Sequence, residues 1–110
     1  MIDWEHVSAL REEIGAADFE EVVPMFVEEV EAVTDQLTEE STAEALEENL
    51  HFLKGSALSL GFFTLSAMCK KGEIAVASGE RSSVDLTAIL NCYEESKQVF
   101  LDGLSQIIAA

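Results

Sequence analysis

The chain has 110 residues, with 22 acidic side chains against six lysines and arginines and a formal charge of −16 at pH 7. This length suits a single domain, 1–110, with one core, and so large a negative charge excludes nucleic acid and an anionic membrane surface as partners. A hydrophobic fraction of 48% with a single proline argues against disorder. No apolar run reaches the length of a membrane span, and Met1 is not followed by a basic and then apolar leader, so a cytoplasmic location is expected.

Residues 3–15 read as a short first helix. Asp3 is placed to cap its start and Gly15 to stop it, while Ile2, Val7, Leu10 and Ile14 form an apolar stripe with Trp4 near its edge. His6, among Glu5, Arg11 and Glu12, reads as a solvated surface histidine. Residues 18–38 read as a long helix opened by Asp18. Phe19, Val22, Val23, Phe26, Val30, Val33 and Leu37 repeat along it with heptad-like spacing. Pro24 either kinks this helix or marks a later true start, and its acidic face reads as solvated.

Ser41 followed by Glu44 reads as a capping box that opens a third helix over 42–60. At about 100° per residue, Leu46, Leu50, Leu53, Ala57 and Leu60 fall on one buried side. His51 then points roughly 130–140° away from the centre of that seam. Lys54 and Gly55, three and four residues on, are its neighbours one turn later. Leu58 and Phe62 continue the outward strip.

A neutral imidazole nitrogen is a good nucleophile near neutral pH. Lys54 supplies positive charge and hydrogen-bond donors where an anion on the ring would sit. Gly55 costs the helix up to about 1 kcal/mol relative to alanine, but leaves the ring uncovered. The set suits a phosphoryl group carried on His51. Spacing alone is met more readily by an exposed histidine on an ordinary bundle helix, with Gly55 and Gly61 marking packing. Glu47 and Glu48 lie one turn before His51; they read as plain surface charge, or one of them orients the ring by accepting a hydrogen bond from its second nitrogen.

Gly61 is expected to break the chain before a fourth helix, about 63–78, ending at Gly79. Its inner stripe is Leu65, Met68, Cys69, Gly72, Ala75 and Val76, and Gly72 with the alanines suggests close contact with another helix. Lys70 and Lys71 are the only adjacent basic pair. Ser82 and Asp85 read as a second capping box opening the last helix, about 84–108. Leu86, Ile89, Leu90, Tyr93, Phe100, Leu104 and Ile107 form its seam, and Lys97, at a seam position, is expected to snorkel at the bundle end. Cys69 and Cys92 are too few and too far apart for a disulfide framework or a zinc knuckle, and read as reduced core residues. There is no metal motif and no glycine-rich phosphate loop. The short links favour an all-α fold: an antiparallel four-helix bundle with a short additional N-terminal helix.

The run His51-Phe52-Leu53-Lys54-Gly55-Ser56, followed by Gly61, resembles the signature of histidine-containing phosphotransfer (HPt) domains, which has His, then Lys three on, Gly four on and Gly ten on. His51, Lys54, Gly55 and Gly61 match these places one for one. The resemblance implies a helical bundle that takes a phosphoryl group from a kinase or a receiver-domain aspartate and passes it to another receiver. His51 would be the acceptor, through Nε2, with Lys54 stabilising charge, Gly55 giving access, and Ser56 or Ser59 assisting by hydrogen bonding. Phe52, Leu58 and Phe62 would form the docking patch. The expected partners are receiver domains of response regulators or a sensor histidine kinase. The chain, expected to be a monomer, would hold no cofactor of its own, and Mg2+ would sit in the partner receiver. The alternative is a non-catalytic helical adaptor that binds receiver or kinase domains without carrying phosphate.

Overall fold

The computed structural model describes the backbone of residues 2–109 and the side chains of residues 2–105. Among the described residues five α-helices follow one another: α1 (Trp4–Ile14), α2 (Ala16–Thr34), α3 (Ala43–Leu60), α4 (Phe63–Ala77) and α5 (Leu86–Ala109), with one 3₁₀ turn, Arg81–Ser83, before the last. No strand occurs among the described residues. The molecule is a rod, 47 × 21 × 20 Å, as expected of helices packed side by side.

The apolar seam expected on α3 is the centre of the core. Leu46, Leu50, Leu53, Ala57 and Leu60 are each no more than 3% exposed. Burying one such leucine stabilises the fold by about 2 kcal/mol. They join Phe19, Val23 and Val30 of α2, Leu65, Cys69 and Val76 of α4, and Leu86, Ile89, Tyr93, Phe100 and Leu104 of α5 in one continuous cluster. Both cysteines are free and buried within it. The side chain of Ile107 lies outside the described residues.

The turn between α3 and α4 sets the geometry of the rest. Gly61 adopts the left-handed conformation, φ 81° and ψ 20°, which suits a residue without Cβ. The Gly61 amide donates to the Leu58 carbonyl at 3.2 Å and the Phe62 amide to the Ala57 carbonyl at 2.8 Å. This is a Schellman motif, which turns the residue after the glycine inward. Phe62 is accordingly 2% exposed and packs edge-on against Phe100, ring centres 5.2 Å apart. The expectation that Phe62 continues the outward strip is therefore corrected. Phe63, the first residue of α4, is the exposed aromatic instead.

The helix α1 packs across this same turn. Asp3 caps it, accepting from the His6 amide at 3.1 Å, and the Asp3 amide donates to the Gly61 carbonyl at 2.9 Å. His6 is not the solvated residue expected. Its Nε2 donates to the Ser59 carbonyl at 2.9 Å, and its ring meets Phe63 edge-on at 5.6 Å. Trp4 stacks on Phe100 over Gly103, where an added Cβ would collide with the indole.

Several boundaries differ from the sequence reading. The second helix starts two residues early, from Gly15, and ends at Thr34, with Leu37 buried in the following turn. Pro24 lies inside it, neither ending nor starting it. Val22 is 39% exposed because the buried stripe follows Phe19, Val23 and Val30. The cap of α3 is Thr42, which accepts from the Ala45 amide at 3.1 Å, while Ser41 donates to the Gln36 carbonyl. The cap of α5 is Asp85 rather than Ser82, accepting from the Ala88 amide at 2.9 Å. Ser96, fully buried, holds the seam position given to Lys97. Lys97 sits mid-helix at the seam's edge and pairs with Glu31 of α2 at 2.8 Å. Tyr93 donates to the same carboxylate at 3.0 Å.

Candidate functional site

The helix α3 places His51 on the surface, as its spacing from the leucine seam requires. The side chain is 71% exposed. Lys54 is beside it and partly covered. Gly55 lies on the same face, with nothing within 4 Å of where its Cβ would be, so the approach along the helix past His51 is open.

The antiparallel pairing of α3 and α4 brings in a residue that the sequence reading missed. Phe62 stands midway in sequence between His51 and Glu73, so a hairpin folded at the Gly61–Phe62 turn sets the two opposite each other. Close approach of the helices is permitted by Gly72, whose Cβ would lie 3.2 Å from a Leu50 methyl. Ser66, buried near the turn, ties the pair together by donating to the Lys54 carbonyl at 3.1 Å.

Glu73 accepts from both functional side chains of α3. Its Oε2 lies 2.8 Å from His51 Nδ1, and its Oε1 lies 2.8 Å from Lys54 Nζ. The carboxylate is 16% exposed. The Lys54 ammonium, and after it the His51 ring, hold the Glu73 carboxyl below its ordinary range against the opposing effect of burial. An ionised carboxylate only accepts hydrogen bonds. In the neutral ring, therefore, Nδ1 carries the proton and Nε2 the lone pair.

Glu47 and Glu48, candidates either for orienting the ring or for plain surface charge, do not bond it. With Glu44, His51 and Glu73 they line an open cleft of about 420 Å³. They share the His51 side of α3, but the orienting carboxylate comes from the neighbouring helix. The two serines offered as support lie elsewhere. Ser59 is two turns on, about 12 Å along the helix, and its hydroxyl donates to the Gly55 carbonyl at 3.0 Å. Ser56, five residues after His51, projects about 140° round the helix from it.

Around the site, Phe52 is 41% exposed, Leu58 54% and Phe63 41%. These apolar side chains lie uncovered on α3 and the start of α4. Lys70 and Lys71 are exposed along α4. Lys71 lines a separate groove of about 520 Å³ between α4 and the start of α5, which does not include His51. That groove is larger than the cleft, but it holds neither His51 nor Lys54. Among the described residues, no three His, Cys, Asp or Glu side chains gather as a metal site, and no helix is long and apolar enough to cross a membrane.

Comparison with curated proteins and with solved structures finds no match. The family model for the Hpt domain matches residues 17–107. That span runs from the first turn of α2 almost to the end of α5 and includes the whole α3–α4 hairpin. The chain therefore belongs to the Hpt domain family, with that family's phosphotransfer role in two-component signalling.

Proposed function

We propose that this domain is a phosphorelay intermediate that accepts a phosphoryl group on Nε2 of His51, from a kinase or a receiver aspartate, and hands it to a receiver aspartate. One observation carries the reading. Glu73 occupies Nδ1 at 2.8 Å while the ring stays 71% exposed, so the free lone pair on Nε2 is presented to a visiting protein.

The loading step is a displacement at phosphorus. With a receiver as donor, the Nε2 lone pair forms the P–N bond as the P–O bond of the receiver's acyl phosphate breaks, and the aspartate carboxylate leaves with that electron pair. Nδ1 keeps its proton, so the ring needs no base. Chemistry of this kind depends on positioning and charge stabilisation. Lys54, one turn from His51, is the cation nearest the transferred group. Gly55 leaves room for the partner's backbone. The partner's aspartate and its Mg2+ complete the site, so the domain alone has no kinase activity.

Phe52, Leu58 and Phe63 form the apolar docking patch, with Phe63 taking the place first given to Phe62. The contact of His6 with Phe63 makes α1 a support for that patch. The two buried, unpaired cysteines fit a reducing compartment, and the cytoplasm is the proposed location.

The test is incubation with phosphorylated receiver domains, comparing the natural chain with His51→Gln. A carrier acquires acid-labile, base-stable label that the variant lacks. A non-catalytic adaptor binds receivers equally well in both forms and acquires no label.

A further inference from the structure

The hydrogen bond between Nδ1 and Glu73 bears on the loaded state as well as the free one. A phosphoryl group on Nε2 leaves with the ring as its leaving group. If Nδ1 is protonated, the ring departs as neutral imidazole. If it is not, the ring must depart as an anion, and the P–N bond persists. An anion close to the protonated nitrogen favours keeping that proton.

We propose that Glu73 is a positioning residue for discharge: its carboxylate holds the proton on Nδ1 of the loaded ring and so speeds departure of the phosphoryl group to the receiver. The proposal rests on His51 being the carrier. In the discharge step a receiver carboxylate oxygen attacks phosphorus, the P–Nε2 bond breaks, and its electron pair returns to Nε2. The same proton stays on Nδ1 through loading and discharge, nothing is oxidised or reduced, and no further reactant is needed.

The charges around the ring favour this assignment. Glu44, Glu47 and Glu48 of α3 line the cleft with His51, and Glu73 is the contribution of α4. All four are anionic and act in the same direction. Lys54 opposes them, but its ammonium is bonded to the other oxygen of Glu73 at 2.8 Å. Direct contact at 2.8 Å with a largely covered carboxylate outweighs Glu44 and Glu48, which are exposed, and the half-buried Glu47, none of which bonds the ring and all of which water screens more.

The experiment loads the natural chain and Glu73→Gln with phosphoramidate, a small phosphoryl donor that needs no docking, and follows loss of label from pH 6 to pH 9, with and without a receiver. The natural chain is expected to discharge at a nearly constant rate from pH 6 to 8. Glu73→Gln is expected to match it at pH 6 and to be about fourfold slower at pH 8.5, the effect of about one unit of displacement on a profile that bends only above pH 8. Glu73→Asp should recover part of the difference. A purely structural role would slow Glu73→Gln equally at every pH, and parallel profiles overturn the proposal. Should Glu73→Gln fail to fold, the natural chain decides alone: a profile that falls with pH as that of free Nε2-phosphohistidine does overturns it. Absence of any label on the natural chain overturns the carrier reading itself, a result distinct from parallel profiles.

Discussion

Replacing Gly55 by alanine should raise stability, and replacing it by glutamine should stop transfer. No atom lies within 4 Å of the Cβ that either substitution adds. The change therefore brings no clash, and the helix gains what glycine cost it, about 1 kcal/mol for alanine and somewhat less for glutamine. For a domain of this size, that is a rise in melting temperature of about 4 °C. Side chains on a helix lean toward its N-terminus, so the introduced glutamine lies over the turn that carries His51, where a receiver must approach. Transfer from a phosphorylated receiver should fall more than tenfold for Gly55→Gln and only a few-fold for Gly55→Ala. Thermal melts followed by circular dichroism, run beside a phosphotransfer time course, measure both effects. Transfer by Gly55→Gln within twofold of the natural chain, at raised stability, would show that the missing side chain has no gating role.

Other outcomes follow from the same geometry. Leu58→Glu should slow transfer at least fivefold while leaving the melting temperature within a degree or two, because Leu58 is 54% exposed; unchanged kinetics would remove it from the docking patch. Phe62→Ala should instead cost about 3–5 kcal/mol of stability, measured by urea unfolding, because Phe62 is a core residue behind the turn. Burial, with a smaller contribution from Cys92, pushes the Cys69 thiol up to about 12. At pH 8 it should resist iodoacetamide in the folded protein and react promptly in urea; rapid native-state labelling would contradict its burial. Lys97 lowers the Glu31 carboxyl below its ordinary 4.5. The stability it contributes is therefore present above about pH 4.5 and lost as pH falls through the lower folded value. The advantage of the natural chain over Glu31→Gln in urea unfolding should vanish below that pH. Relief of repulsion among the surplus carboxylates acts on both proteins alike.

Much of this molecule was legible from helical spacing. The α3 seam, the outward placement of His51, Lys54 and Gly55, and the reduced core cysteines all follow from one residue's position relative to its neighbours on the same helix. What escaped depends on relations between helices or on the detail of a turn. Phe62 was misplaced by extending the α3 wheel past Gly61, where a Schellman turn ends the helix and sends the next apolar residue inward; a glycine followed by phenylalanine carries that signal. Glu73 lies outside the turns of α3 on either side of His51, because it arrives from α4. Folding the sequence at Gly61–Phe62 and reading across would have found it. His6 lacked any such signal. Its partner is a backbone carbonyl of α3, and only the docking of α1 across the turn makes that contact. The caps at Thr42 and Asp85 were missed by one and three residues because neighbouring serines compete for the same role.

The central claim is that Glu73 leaves Nε2 of His51 as the one nitrogen free to carry a phosphoryl group. Phosphorus–nitrogen coupling in the loaded protein, prepared with ¹⁵N-labelled histidine, measures this directly. The expected result is a single phosphorus signal coupled to Nε2 of His51, absent in His51→Gln. Coupling to Nδ1, or to a nitrogen of His6, would contradict the account.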